Sequence, residues 1–248
     1  MPRSSIITKV NYSPNFDKKK RLKKKIKFLI FHYTGMKNEK DAIKRLTTIK
    51  SKVSSHYFIK NNGEVITLVP ELYVSWHAGK SSWQNYKSIN KYSIGIEISN
   101  PGHENKYKKF SKKQIQSILK LSKYLIKKYK IKSKFILGHS DIAPLRKKDP
   151  GEKFPWKHLS KHNVGLWHDL NEKKLFETRE LKVYKYHKIN FLKNLYKIGY
   201  SRVLNKDKNK NIELLTKAFQ RRFRQDVVNG IIDEECLLIS KNLTKNLK

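Results

Sequence analysis

The chain has 248 residues, 38% hydrophobic and 11% aromatic, with 57 Lys+Arg against 20 Asp+Glu for a formal charge of +37. That much core-forming material excludes a disordered polybasic chain, and no apolar run approaches the roughly 20 residues that span a bilayer. A single cysteine, Cys236, excludes an internal disulfide and a multi-cysteine zinc knuckle, so a bound metal would rest mostly on His and carboxylate. The charge attracts any polyanion. Yet Lys greatly outnumbers Arg and is spread among Ile and Asn, the drift of an AT-rich genome rather than the Arg forks that read bases. Charge alone names no function, and no nucleic acid is expected as a partner.

Residues 1–25 form a polar, basic N-terminal segment ending in the run Lys18 to Lys25. A secretory leader would place about 7–15 apolar residues after its positive charges. Here Phe28-Leu29-Ile30-Phe31 meets His32 at once, which predicts a buried strand over Ile26–Tyr33 and no cleavable leader. Glu39–Lys50 reads as a helix. Ser54–Ile59 and Glu64–Val69 read as a hairpin around Asn61-Asn62-Gly63, and Ser93–Ser99 as a further strand. Ser111 and Gln114 spell a capping box, opening a long helix with Ile115, Ile118, Leu119, Leu121, Leu125 and Ile126 on its apolar side. Lys134–Gly138 reads as a strand running into His139. This interleaving predicts an α/β domain over 26–175, with a mixed central β-sheet flanked by helices. Residues 176–190 are charged and aperiodic, as in a connector. Residues 191–248 predict a small three-helix C-terminal domain. Its helices are Phe191–Ile198, stopped by Gly199, then Asn211–Arg224, then one capped by Asp233 and running through Leu243.

Functional groups on α/β sheets gather at strand ends. His32 and His139 close strands, and Asp149 follows in a loop stiffened by Pro144, Pro150 and Gly151. Two imidazoles and a carboxylate could supply three zinc ligands with a fourth position open, although a lone strand-end His is more often structural. Glu97 interrupts the run Ile94 to Ile98, read as a strand apolar on both faces. It could be a buried ion pair, a residue turned outward, or a general base beside a metal-activated water. Lys147 lies on the Asp149 loop, one more lysine in a lysine-rich chain. His158 and His162 stand at i, i+4, but they lack the glutamate of an H-E-x-x-H protease and are flanked by Lys, so they read as surface residues. His103, His168 and His187 have no supporting partners in the sequence. His77, within Trp76-His77-Ala78-Gly79, suits the wall of a polar ligand site. No P-loop, nucleophile elbow or dinucleotide fingerprint is present.

Five motifs together carry a resemblance. They are Phe31-His32-Tyr33-Thr34, Val53-Ser54-Ser55-His56-Tyr57, Trp76-His77-Ala78-Gly79, Ser93-Ile94-Gly95-Ile96-Glu97, and Gly138-His139-Ser140-Asp141-Ile142-Ala143-Pro144 continuing through Arg146-Lys147-Lys148-Asp149-Pro150-Gly151. In this order, over about residues 25–168, the chain resembles the zinc-dependent N-acetylmuramoyl-L-alanine amidases related to peptidoglycan-recognition proteins and phage lysozyme-amidases. The bacterial anhydro-muropeptide branch is nearest. The resemblance implies the amidase/peptidoglycan-recognition fold and a Zn²⁺ ion on His32, His139 and Asp149. It also implies Glu97 as general base and Lys147 as the group that stabilises the oxyanion. Ser55, His56, Trp76, His77 and Arg146 would contact substrate. Ser55 stands where the phage enzymes carry a catalytic tyrosine, as in the bacterial branch.

The tail, with Ala218-Phe219-Gln220-Arg221-Arg222-Phe223 and Val228-Asn229-Gly230, is similar to the three-helix peptidoglycan-binding module fused to wall hydrolases. It would pack on the first domain and hold the enzyme on polymeric wall. The expected partners are peptidoglycan or soluble muropeptides. The tail points to the bacterial envelope or periplasm, the missing leader to the cytoplasm. A non-catalytic wall-recognition protein would keep the fold but lose a ligand, and all three ligands are present.

Overall fold

The computed structural model describes residues 8–202 and 208–247, so the first seven residues of the basic segment lie outside it. In chain order the elements are β1 (Lys9–Val10), β2 (Phe16–Asp17), β3 (Phe28–Tyr33), α1 (Glu39–Thr47), β4 (Tyr57–Ile59), β5 (Val65–Thr67) and β6 (Val74–Ser75). Then come β7 (Ser82–Trp83), β8 (Tyr86–Lys87), β9 (Ser93–Ile98), α2 (Lys112–Tyr129), β10 (Ile136–Gly138), α3 (His139–Ile142) and α4 (Trp156–Ser160). Helices α5 (Glu172–Glu177), α6 (Lys185–Ile198), α7 (Lys208–Phe223) and α8 (Glu234–Lys245) end the chain. Six strands form one mixed sheet in the order β1-β5-β4-β9-β3-β10. Only the β4–β5 hairpin is antiparallel. Gly63 takes φ +84° at its turn, the conformation the Asn-Gly pair foretold.

Alternation along the central strands builds two cores. Leu29 and Phe31 of β3, Ile94, Ile96 and Ile98 of β9, and Ile136 of β10 pack against Ile118, Leu121 and Leu125 of α2. That helix opens with the expected capping box, Gln114 N–H donating to Ser111 Oγ and Ser111 N–H to Gln114 Oε1. Phe28, Ile30 and Leu137 point the other way, into a core shared with Phe191, Leu195, Leu215 and Phe219 of the C-terminal helices. The tail is thus a third layer on the sheet, sharing its core.

Several expectations change. The strand carrying Glu97 is not apolar on both faces: Ile94, Ile96 and Ile98 share one, and Ser93, Gly95 and Glu97 lie on the other. The region expected as a connector is partly helical, since α5 runs to Glu177 and α6 starts at Lys185. The first turns of α6 leave Tyr184, Tyr186 and Ile189 exposed, so no apolar period shows until Phe191 enters the core. The described part of the basic N-terminal segment is woven into the fold. β1 pairs with β5, and buried Arg21 donates to the carbonyls of Asn90 (2.9 Å) and Glu71 (2.8 Å). Helix α1 stops at Thr47 rather than Lys50, followed by a short 3₁₀ turn at Ile49–Ser51. Among the described residues no helix is long and apolar enough to cross a membrane.

Candidate active site

Strand register delivers the site. His32 and Glu97 are partners across the parallel pair β3–β9, on the face that carries Phe28 and Ile30. Gly138 of β10 pairs with Phe31, so the chain emerges from the sheet as His139 beside His32. It turns through α3 and returns as Asp149, whose carbonyl accepts the Ser140 N–H at 2.8 Å. A Cβ on Gly138 would meet Pro150 at 2.6 Å, so glycine is what lets this loop close on the strand end.

His32 Nδ1, His139 Nδ1 and Asp149 Oδ2 stand 3.0 Å apart in each of the three pairings, and all three residues are buried. Hydrogen bonds behind the cluster decide where the protons of His77 and His32 are. The Ser93 hydroxyl donates to the Ile89 carbonyl (2.8 Å), so its oxygen accepts from His77 Nε2–H (2.9 Å). His77 Nδ1 must then accept from His32 Nε2–H (2.9 Å), which leaves the lone pair of His32 on Nδ1. His139 Nε2 faces the Ala78 carbonyl (3.1 Å) and Arg146 Nη2 (3.3 Å). Burial, and then His139, lowers His32 to about 4; burial and the neighbouring imidazoles hold His77 well below its usual range. Burial pushes the Asp149 carboxyl up, but His139 and His32 outweigh it and hold the group well below the usual carboxylate range. Two ring nitrogens and a carboxylate oxygen therefore converge on one point. A tetrahedral ion with bonds of about 2.0–2.1 Å has edges of about 3.3–3.4 Å, close to the spacing seen. The donor set fits a divalent metal.

The cluster opens into a cleft of about 430 Å³ lined by Arg45, Trp76, Glu97, Lys147 and Lys148 among others. Burial, and then the charge of Asp149, push the Glu97 carboxyl up to about 8, against the pull of Lys147 and Arg45. Trp76 sits at the rim, its Nε1–H donating to Asp17 (2.8 Å). Arg146 also lines the cleft, but its guanidinium is committed to the Lys80 carbonyl (3.0 and 2.7 Å) and to the Ala78 carbonyl. It braces the wall.

Two other expected substrate contacts, Ser55 and His56, do not reach the cleft. Ser55 is buried, its hydroxyl has no partner, and the neighbouring Ser54 is the one that lines the cleft. His56 is fully buried; its Nδ1 accepts from Ser75 Oγ (2.7 Å) and Gly95 N–H (3.0 Å) and its Nε2 faces the Tyr73 carbonyl (3.0 Å). These residues precede a buried strand, which the sequence motif does not disclose. His77 stands behind His32 and still lines the cleft. His103 is partnered after all: Tyr33 Oη–H donates to its Nδ1 (2.8 Å) and its Nε2–H to Glu152 (3.0 Å). Sequence reasoning missed Arg45 and Lys148, and it missed the Ser93–His77 relay. Gly95 was a signal for the relay, since a Cβ there would lie 2.5 Å from the His77 ring.

Comparison with known proteins agrees with this geometry. Residues 22–152 match the family model described as N-acetylmuramoyl-L-alanine amidase. The N-acetylmuramoyl-L-alanine amidase AmiD of Escherichia coli is 33% identical over 232 residues, covering 88% of this chain and 82% of that protein. The structure of AmiD in complex with anhydro-N-acetylmuramic acid-L-Ala-D-gamma-Glu-L-Lys superposes with TM-score 0.81 at 32% identity, over 90% of each chain. Pseudomonas aeruginosa AmpDh3, solved with an anhydromuramic pentapeptide, gives TM-score 0.77 at 27% identity, covering 99% of this chain and 98% of that one. The 1,6-anhydro-N-acetylmuramyl-L-alanine amidase AmpD of E. coli is 37% identical over 105 residues, 42% of this chain and 55% of AmpD. With the motifs lodged on the expected strand ends and the likeness running through the tail, the chain belongs to the N-acetylmuramoyl-L-alanine amidase family.

Proposed function

We propose that the chain is a zinc amidase cutting the amide between N-acetylmuramic acid, its 1,6-anhydro form included, and L-alanine of the stem peptide. One observation carries this reading: two imidazole nitrogens and a carboxylate oxygen meet at 3.0 Å in a cleft that also holds the half-buried Glu97 carboxyl. His32, His139 and Asp149 would hold the ion, which when bound polarises the scissile carbonyl and lowers the pKa of water to about 7. Glu97 takes the proton from the attacking water and passes it to the leaving amine, a task suited to a carboxyl poised near neutrality. The Lys147 ammonium opposes the negative charge that develops on the carbonyl oxygen. Removing one such group costs on the order of 10²–10³ in rate. Arg45, Lys147 and Lys148 give the cleft a positive character suited to the carboxylates of stem peptides. The ligands bound to AmiD and AmpDh3 support this substrate class.

The C-terminal helices form a peptidoglycan-binding module in this reading, with exposed Tyr184 and Tyr186 as rings for stacking on sugars. Polymeric wall would then be a substrate beside soluble muropeptides, which favours the envelope over the cytoplasm as the place of action. The test is to digest whole sacculi and purified anhydro-muropeptides, and mass-analyse the products with native, metal-stripped and zinc-restored enzyme. Free stem peptides beginning with L-alanine, lost on stripping and regained with zinc, are expected. Full activity after stripping would overturn the metal site, and cleavage at another bond the specificity. Tyr184→Ala with Tyr186→Ala should reduce sedimentation with sacculi and leave soluble muropeptide cleavage intact. Unchanged sedimentation would remove these rings from wall binding.

A further inference from the structure

Two of the three ligand atoms hang from one segment, 138–154, and side chains from beyond residue 198 hold that segment in place. Asp141, inside α3, is 1% exposed. Its Oδ2 accepts the Gly138 N–H (2.7 Å) and so ties down the turn that presents His139. The same oxygen accepts from Arg222 Nη1 (2.7 Å), and Oδ1 accepts from the Tyr200 hydroxyl (2.7 Å). Arg222 is 2% exposed; its Nη2 donates to the Ile136 carbonyl of β10 (2.9 Å), and its guanidinium lies 4.1 Å over the Trp156 ring. Farther along, Gln225 Nε2 donates to the carbonyls of Glu152 (2.6 Å) and Phe154 (2.7 Å), just past Asp149. A buried carboxylate with one guanidinium nitrogen on one oxygen and a phenol on the other has one low-energy orientation.

We infer that Arg222 and Tyr200 are positioning residues for the metal centre, acting through Asp141 to set His139 and the Asp149 loop, so that the C-terminal region is an integral part of the amidase site and not only a wall anchor. This rests on His32, His139 and Asp149 binding zinc. Outer-shell groups that orient ligands typically change metal affinity by about 10–100-fold, and this clamp stands one step behind the ligands.

The test is zinc affinity, measured on the full chain by chelator competition, with the absorption spectrum of the cobalt-substituted protein as a second readout. Tyr200→Phe removes one hydroxyl and keeps the ring packed on Trp83 at 4.8 Å, so the fold should survive. It should weaken zinc about tenfold and shift the cobalt bands. Arg222→Lys keeps the charge but loses the fork, and should weaken zinc further. Arg224→Lys is the control. Arg224 is equally buried but bonds Asp233 and Asn229 within the tail, away from segment 138–154. It should lower thermal stability and leave zinc affinity unchanged. Zinc affinity within twofold of the unmodified chain in Tyr200→Phe and Arg222→Lys, with unshifted cobalt bands, would overturn the clamp. So would an equal loss in Arg224→Lys, because the effect would then be general destabilisation. An unmodified chain that binds no zinc would instead overturn the metal reading itself.

Discussion

His32 and Glu97 stand on neighbouring strands paired over six residues, Phe28–Tyr33 against Ser93–Ile98, while His139 and Asp149 stand at the two ends of an excursion whose regular part is the short α3. The first pair inherits its geometry from backbone register: a strand cannot shift by one residue without turning every side chain to the other face. The second pair has no such ladder. Its geometry is supplied by Ser140 reaching back to Asp149, by Gly138 closing on Pro150, and by Asp141 under Tyr200 and Arg222. A metal that takes two ligands from a loop would need that loop fixed before the ion arrives, and in the proposed clamp distant side chains would do the fixing.

Removing the support is the severest way to break this comparison. A chain ended at Leu175 would lose Tyr200, Arg222 and Gln225 and uncover Phe28, Ile30 and Leu137, which now share a core with the tail. A detachable wall anchor would leave soluble muropeptide cleavage intact on truncation. The shared core predicts the opposite: an insoluble or zinc-free protein that is inactive on soluble and polymeric substrates alike. A soluble, zinc-loaded and active truncated protein would show that the loop half holds itself.

Within the sheet half, Glu97→Gln separates chemistry from metal binding. Volume and most hydrogen bonding are kept, and Glu97 is not one of the three clustered ligands. Zinc stoichiometry and thermal stability should therefore stay close to the unmodified chain while kcat falls by about 10²–10⁴. Loss of the zinc would make Glu97 a ligand or a support. Next in size is the relay behind His32. Ser93→Ala leaves the buried His77 Nε2–H without its acceptor, at a cost of about 1–3 kcal/mol. It should also weaken zinc roughly tenfold, at the low end for an outer-shell group. Gly95→Ala should weaken it more, since the new Cβ would lie 2.5 Å from the His77 ring. Zinc affinity unchanged in both variants would mean that His32 needs no orienting partner.

The sheet half and the clustering of His32, His139 and Asp149 were legible in the chain because their signals are local. A hydrophobic run ending in His32 or His139 marks a strand end, and the capping box at Ser111 marks the helix that covers the sheet. The polar face that holds Glu97 was misread, because Ile94, Ile96 and Ile98 dominate the run and Ser93 and Gly95 are too small to announce alternation. Ser55 and His56 passed for substrate contacts because a motif discloses no depth of burial. The clamp was illegible for a different reason: Asp141 and Arg222 lie 81 positions apart, and no local pattern tells a buried Arg from the many exposed cations around it. The same excess of Lys and Arg masked Arg45 in the cleft.

The smallest expected effect uses Cys236 to separate the clamp from the tail's own stability. Its thiol is fully buried, and burial pushes it up to about 12, so the native protein should react very slowly with a thiol reagent and label once per chain in denaturant. Cys236 N–H donates to Asp233 Oδ1 (2.9 Å), and the other oxygen of Asp233 accepts from Arg224. Arg224→Lys should therefore loosen the start of α8 and speed labelling severalfold, without touching segment 138–154. Arg222→Lys should do the reverse. It frees Asp141 and Ile136, on the sheet side of α7, while Leu215, Phe219 and Ile239 keep Cys236 covered. Labelling should then stay slow as zinc affinity drops. If both variants label quickly, the tail opens as one unit and the clamp cannot be separated from its folding. If neither does, Arg224 and Asp233 are not what keeps the start of α8 closed.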